Sequence, residues 1–144
     1  MALHLVKLCV GCDSIEDLQS WIDERLIQRR ARGEPPEHTH TTRQVPKRRD
    51  DLLAQGSLYW VIRGFIQVRQ RLLDIRPFTD AEGVPRCHFV LEPVLVPTVP
   101  QPCRPFQGWR YFEPRHAPAD LASATAGDEL PPRLWRELAE LGLL

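Results

Sequence analysis

From Leu58 to Ile75 the chain reads LYWVIRGFIQVRQRLLDI, rich in β-branched and aromatic residues and interrupted by a single glycine. Such composition favours a pleated, buried surface, and Gly64 marks a bend, so Leu58–Ile62 and Phe65–Ile75 are predicted to be two consecutive strands. On the second, period-two alternation sets Ile66, Val68 and Gln70 on one side and Gln67, Arg69 and Arg71 on the other. Extending that register back groups Arg63 and Phe65 with the arginines. Asp80-Ala81-Glu82-Gly83 supplies turn chemistry for a reversal into Pro85–Leu91, and Val94–Val99 makes a further extended run. The centre of the chain is a β-meander.

The flanks add helices. Leu3, Leu5, Val6, Leu8 and Val10 form a short apolar run bounded by Gly11, which predicts a first strand. Asp13 is then a good N-cap with Glu16 three residues on, and Ile15, Leu18, Trp21, Ile22, Leu26 and Ile27 recur at helical spacing over residues 14–29. Residues 29–37 hold two prolines and no apolar period, so they read as an exposed loop. Alternating Thr and His from His38 are β-like, and Pro46 opens a short helix over 47–55 that Gly56 closes. Seven prolines between 93 and 118 keep that segment out of central strands and make it a wrapping segment. Pro131-Pro132 opens a last helix, with Leu134, Trp135, Leu138 and Leu141 facing the core. The expectation is one α+β domain over residues 1–144: a mostly antiparallel, curved or barrel-like sheet with about three helices.

The net charge of zero conceals segregation. Residues 25–76 hold 12 of the 19 Lys and Arg against five of the 19 acids, and the segments on either side are net acidic. With 42% hydrophobic and 26% charged residues the composition is that of a soluble globular chain. No stretch approaches the roughly 20 apolar residues that span a bilayer, so no membrane role is expected. The opening MALHLVKLCVG is short, lacks a basic start and is broken by His4 and Lys7, which makes the cytoplasm the expected location.

Arginine in an outward row suits planar, bidentate recognition of phosphate or carboxylate. Arg63, Gln67, Arg69 and Arg71 form that row, and Arg43, Lys47, Arg48 and Arg49 extend it if the preceding helix lies beside the strand. The alternative is an ordinary solvated face whose arginines pair with Asp50, Asp51 and Asp74. A second constellation is RPFQGWRYF, residues 104–112, where Trp109 and Arg110 offer parts that stack and clamp unpaired bases. In a proline-rich segment its aromatics Phe106, Trp109 and Phe112 equally serve as packing anchors. Of the adjacent Tyr59 and Trp60, one ring points inward and one outward, and Tyr59 is the nominated stacking surface.

Cys9-Val-Gly-Cys12 is a C-x-x-C at a strand-to-helix junction, and His38, His40, Cys87 and His88 could complete a zinc site or a thiol site. Against it stand the missing second C-x-x-C and the common fate of free cysteine as a small buried hydrophobe. No G-x-S-x-G and no phosphate loop is present, so no catalytic residue and no cofactor is assigned.

The segments LHLVKLCVGCDSIEDL, TRQVPKRRDDLLAQGSLYWVIRG, RQRLLDIRPF and RPFQGWRYF, the last followed by Ala117-Pro118-Ala119-Asp120-Leu121, together resemble a family of uncharacterised bacterial proteins, domain of unknown function 1489. That resemblance implies no activity. A short helix ending in glycine before a β-meander is also similar to the small barrels of the PUA and ASCH kind, which would imply binding of RNA or a modified nucleobase. The glycine-lysine and glutamate-arginine signature of ASCH domains is not recognisable around Gly56. The leading expectation is a non-enzymatic binding domain for RNA or another phosphate-bearing small molecule. An enzyme with the thiol or zinc site, and an interaction module that docks a protein or a second copy of itself as a homodimer, are the alternatives.

Overall fold

One strand of fifteen residues organises the molecule. In a computed structural model that describes residues 3–124, β4 (Phe65–Thr79) pairs along its first half with β3 (Ser57–Ile62), across a two-residue turn at Arg63-Gly64. The chain then runs back along β4 as β5 (Pro85–Leu91), against residues 72–79, and as β6 (Val96–Pro102), against residues 65–69. β1 (His4–Leu8) lies parallel to β3, β2 (His38–Thr42) antiparallel to β5, and β7 (Trp109–Phe112) antiparallel to β1. The result is a seven-stranded mixed sheet in the order β2-β5-β4-β3-β1-β7, with β6 beside β4. A 3₁₀ turn at Pro114–His116 and a helical turn, α3 (Leu121–Ala124), follow β7. The helix expected after Pro131-Pro132 lies outside the described residues.

The sheet curls strongly but does not close. Phe89 of β5 and Trp109 of β7 stand four places apart in strand order, which a flat sheet would separate by about 19 Å at ~4.8 Å per strand. Their ring centroids are 6.5 Å apart. β2 and β7 remain the two ends with no ladder between them, and Trp109 of β7 bonds instead to Gln44, just past β2, so the barrel form expected from sequence is corrected to an open curl.

Helix α1 (Ile15–Ala31) covers the concave face. Its N-cap is Ser14, whose hydroxyl accepts from Asp17 N at 3.1 Å, while Asp17 returns the bond to Asp13 N at 3.0 Å, a capping box shifted one residue from the expected Asp13. Leu18 and Ile22 are fully buried against Leu5, Leu58, Trp60 and Phe89, whereas Ile27, expected on the buried stripe, is 64% exposed. The helix runs past the expected end at residue 29. Gly33, at φ +72°, then turns the chain so that Glu34 N reaches Arg29 O at 2.9 Å, and the exposed loop begins there.

Helix α2 (Arg49–Leu53) packs Leu52 into the same core. Gly56 closes it for a reason other than a left-handed turn, which Gln55 supplies at φ +69°. A Cβ on Gly56 would lie 2.2 Å from both Leu3 O and Leu52 O, two backbone atoms that cannot swing aside.

The opposite face of the sheet is also covered. Val6, Tyr59, Val61 and Ile66 form a second cluster beneath Cys103, Phe106, Phe112 and Ala117. A sheet buried on both faces has no free outward side along its centre, and the expected division of β4 fails for that reason.

Candidate functional site

The nominated arginine row is broken by a β-bulge. Trp60 pairs with Val68 but Val61 pairs with Ile66, which leaves Gln67 as an extra residue in β4. Ile66 thereby joins Tyr59 and Val61 on the convex side, while Val68 stays with Trp60 in the main core, so the expected grouping of Ile66 with Val68 is corrected. Gln67 is buried and donates to Ile62 O at 2.6 Å. Arg69 makes two 2.8 Å bonds to Asp120 and a third, at 3.0 Å, to Ser57 Oγ. That guanidinium holds the Asp120 carboxyl below its usual range. Arg71 is exposed, and Arg63 sits at the hairpin tip with φ +53°.

Several neighbouring cations are taken up by acids. Arg48 meets Asp51 at 3.0 Å, Arg49 meets Asp74, and Arg76 bridges Asp74 and Glu37, both at 3.0 Å. Hydrogen bonds from Arg76 hold the carboxyls of Asp74 and Glu37 below their usual range. Exposed pairs of this kind contribute little to stability, because water and salt screen them. Of the nominated cations, Arg43, Lys47, Arg63, Arg71 and Arg110 have no acid within ion-pair distance among the described residues.

Of those five, Lys47 meets β7 with Arg48 on the Tyr111 side, Arg110 belongs to β7 and lies on its opposite face, and Arg43 immediately precedes Gln44, which the strand also holds. The segment after β2 is laid against this strand: Trp109 Nε1 donates to Gln44 O at 2.7 Å, and the Tyr111 hydroxyl accepts from Lys47 N at 2.9 Å and Arg48 N at 3.2 Å. The Arg48 guanidinium lies 5.9 Å from the Tyr111 ring centroid, and that of Arg110 lies 4.4 Å over Phe106. Trp109 is buried, and Tyr59 is enclosed edge-on by His4 at 5.1 Å and Phe112 at 5.3 Å. Neither nominated stacking ring presents a face to solvent. Tyr111, 38% exposed, is the aromatic of this edge that solvent reaches, with the Trp109 ring edge-on to it at 5.0 Å. Its signal in the sequence is its place two residues after Trp109, on the same strand face but nearer the end.

The thiol and imidazole set is scattered. His38 and His40 share the concave face, where His38 Nδ1 lies 3.2 Å from the Gln70 amide and His40 stands edge-on to Trp60 at 5.2 Å, its Nε2 buried without a hydrogen-bond partner. Burial above all pushes both imidazoles down to about 4. His88 pairs with Thr41 on the other face of β5 and stacks on Phe78 at 4.2 Å. Cys9 is buried and Cys12 partly so; burial and a hydrogen bond with Cys12 raise the Cys9 thiol well above its usual range, and burial raises Cys87 to about 11. Among the described residues no three His, Cys, Asp or Glu side chains are placed to hold one metal ion. No helix among them is long and apolar enough to cross a membrane.

Ser57 and His4 do meet, but through the Ser57 backbone N–H, which donates to His4 Nδ1 at 3.0 Å. The hydroxyl faces Arg69, so the pair lacks the nucleophile-to-base bond of a hydrolase. A family model described as protein of unknown function (DUF1489) matches residues 5–144. No curated protein and no solved structure matches the chain.

Proposed function

The chain belongs to the family of proteins of unknown function (DUF1489), and we propose that it is a non-enzymatic binding domain for RNA or another phosphate-bearing ligand, engaged along the β7 edge. The observation that carries this reading is the seating of Lys47 and Arg48 on a half-exposed Tyr111, with Arg110 on the opposite face of the same edge strand and, among the described residues, no acid within ion-pair distance of Lys47 or Arg110. Guanidinium and ammonium groups would position phosphates, and the Tyr111 ring would stack on an unpaired base, a contact worth roughly 1–3 kcal/mol. The Tyr111 hydroxyl is already fixed by two backbone donors, so the ring is held in place before a ligand arrives.

Titration with a single-stranded RNA oligonucleotide at several salt concentrations tests the reading. Three or four phosphate contacts give a log–log salt slope of roughly −2 to −3. Undetectable binding at low salt, or binding that Lys47→Glu and Arg110→Glu leave unchanged, removes it.

A further inference from the structure

We propose that a recess between the C-terminal half of α1 and β2 is a second, separate anion site, built to hold a single phosphate group through Arg25, Arg29 and Arg32. It shares no residue with the β7 edge and does not depend on RNA binding there.

The spacing 25, 29, 32 puts three guanidinium groups on one helix face, an arrangement whose like charges repel by a few tenths of a kcal/mol per pair. The acids that also line the recess compensate incompletely. Glu37 is gripped by Arg76 through bonds of 3.0 and 3.2 Å, which leaves Arg29 at 3.9 Å, and Glu34 is likewise 3.9 Å from Arg32. Both longer contacts exceed hydrogen-bonding distance. Arg25 has no acid partner among the described residues. Each guanidinium carries five N–H donors, and these contacts use few of them.

The site is held in shape by neutral groups. Arg25 is clamped between the Trp21 ring, 4.0 Å from its centroid, and Thr39 O at 3.2 Å. Arg29 donates to Pro35 O and to Thr39 Oγ1, both at 3.3 Å. Anchored side chains have already lost the freedom that binding would otherwise remove, and two forks plus a third at the rim suit the several oxygens of a phosphate. The helix end does not oppose it with free acceptors: Gln28, Arg29 and Arg30 carbonyls are taken by the N–H groups of residues 32–34. The field of these arginines reaches inward, where Arg25 and Arg29 add to burial in keeping His38 neutral.

Size decides the ligand class. The recess measures about 210 Å³. Whole small-molecule sites run to roughly 300–1,000 Å³, so a phosphate group fits and a complete nucleotide would leave its base outside. Inorganic phosphate and the phosphate of a small monoester present the same chemistry.

Calorimetric titration of the full chain with inorganic phosphate and, separately, with ribose 5-phosphate tests the proposal. Saturable binding near or below about 1 mM is expected for at least one of them. Preference for the free ion points to a phosphate site, and preference for the ester to a monoester site. Arg29→Gln should weaken binding at least about tenfold. Arg32→Gln, at an exposed rim position that the fold does not need, should weaken it severalfold, whereas Lys47→Glu should leave it intact. Absence of binding for both ligands, or affinity unchanged in Arg29→Gln and Arg32→Gln, overturns the proposal whatever the RNA titration gives.

Discussion

The concave core and the β7 edge treat their polar groups in opposite ways. Inside, Gln70 is fully buried yet accepts from Trp60 Nε1 at 2.9 Å and donates to Glu92 O at 3.0 Å, with His38 Nδ1 at 3.2 Å. Around β7, Lys47 and Arg110 have no acid within ion-pair distance among the described residues, and Tyr111 is 38% exposed. Buried polar groups left unpaired would each cost about 1–3 kcal/mol, and among the described residues His40 Nε2 is the one buried side-chain atom left so; a charge in water carries no such penalty and stays available to a ligand. Pairing around Gln70 marks structure here, and unpaired cations mark the candidate interface.

The sharpest way to break the interior is Gly56→Ala. Two backbone oxygens at 2.2 Å from the new Cβ force the chain apart, and a loss above about 4 kcal/mol, or failure to fold, is expected by denaturant unfolding. Wild-type stability in that variant would show that the approach of Leu3 and Leu52 is not needed. Gln70→Leu should cost about 2–4 kcal/mol by orphaning the Trp60 N–H and the Glu92 carbonyl. Adding Trp60→Phe removes one orphan and should recover part of that loss, a non-additivity that a double-mutant cycle measures.

Acid should act on the same interior more gradually. His38 and His40 titrate near 4 in the fold and near 6.5 when unfolded. Below 6.5 the unfolded chain takes up protons that the folded chain refuses, so stability falls from about pH 6.5 down to about pH 4. The depressed carboxyls of Asp120, Asp74 and Glu37 give up their contribution only at lower pH, as they protonate. His40→Phe should flatten the slope of unfolding free energy between pH 4 and 6.5, and an unchanged slope would count against a buried neutral imidazole. At the edge the contrast inverts. Lys47→Glu with Arg110→Glu should change stability by less than about 0.5 kcal/mol while lowering RNA affinity at least about tenfold.

Much of this fold was legible in residue patterns, because α1, the β3–β4 hairpin and the reversal at Asp80–Gly83 each rest on local chemistry. The site was not, for two physical reasons. Partners lie far apart in sequence: Arg69 meets Asp120 and Arg76 meets Glu37 across 51 and 39 positions, so the ion-paired cations could not be told from the free ones. Period-two reasoning also assumes an unbroken ladder, and the extra residue at Gln67 reversed the sides assigned to everything before it. Arg25, Arg29 and Arg32 did carry a readable signal, one helix face at i, i+4, i+7.

The two register shifts of β4, at Gln67 and at Leu73, give this strand something like a reading frame. Each extra residue exchanges inside for outside, so deleting one would turn side chains built for the core toward the convex cover and bring Arg69 into the concave interior. For fifteen residues the count matters more than the chemistry. A library that varies side chains along β4 should yield far more folded members than one that varies its length by a single residue.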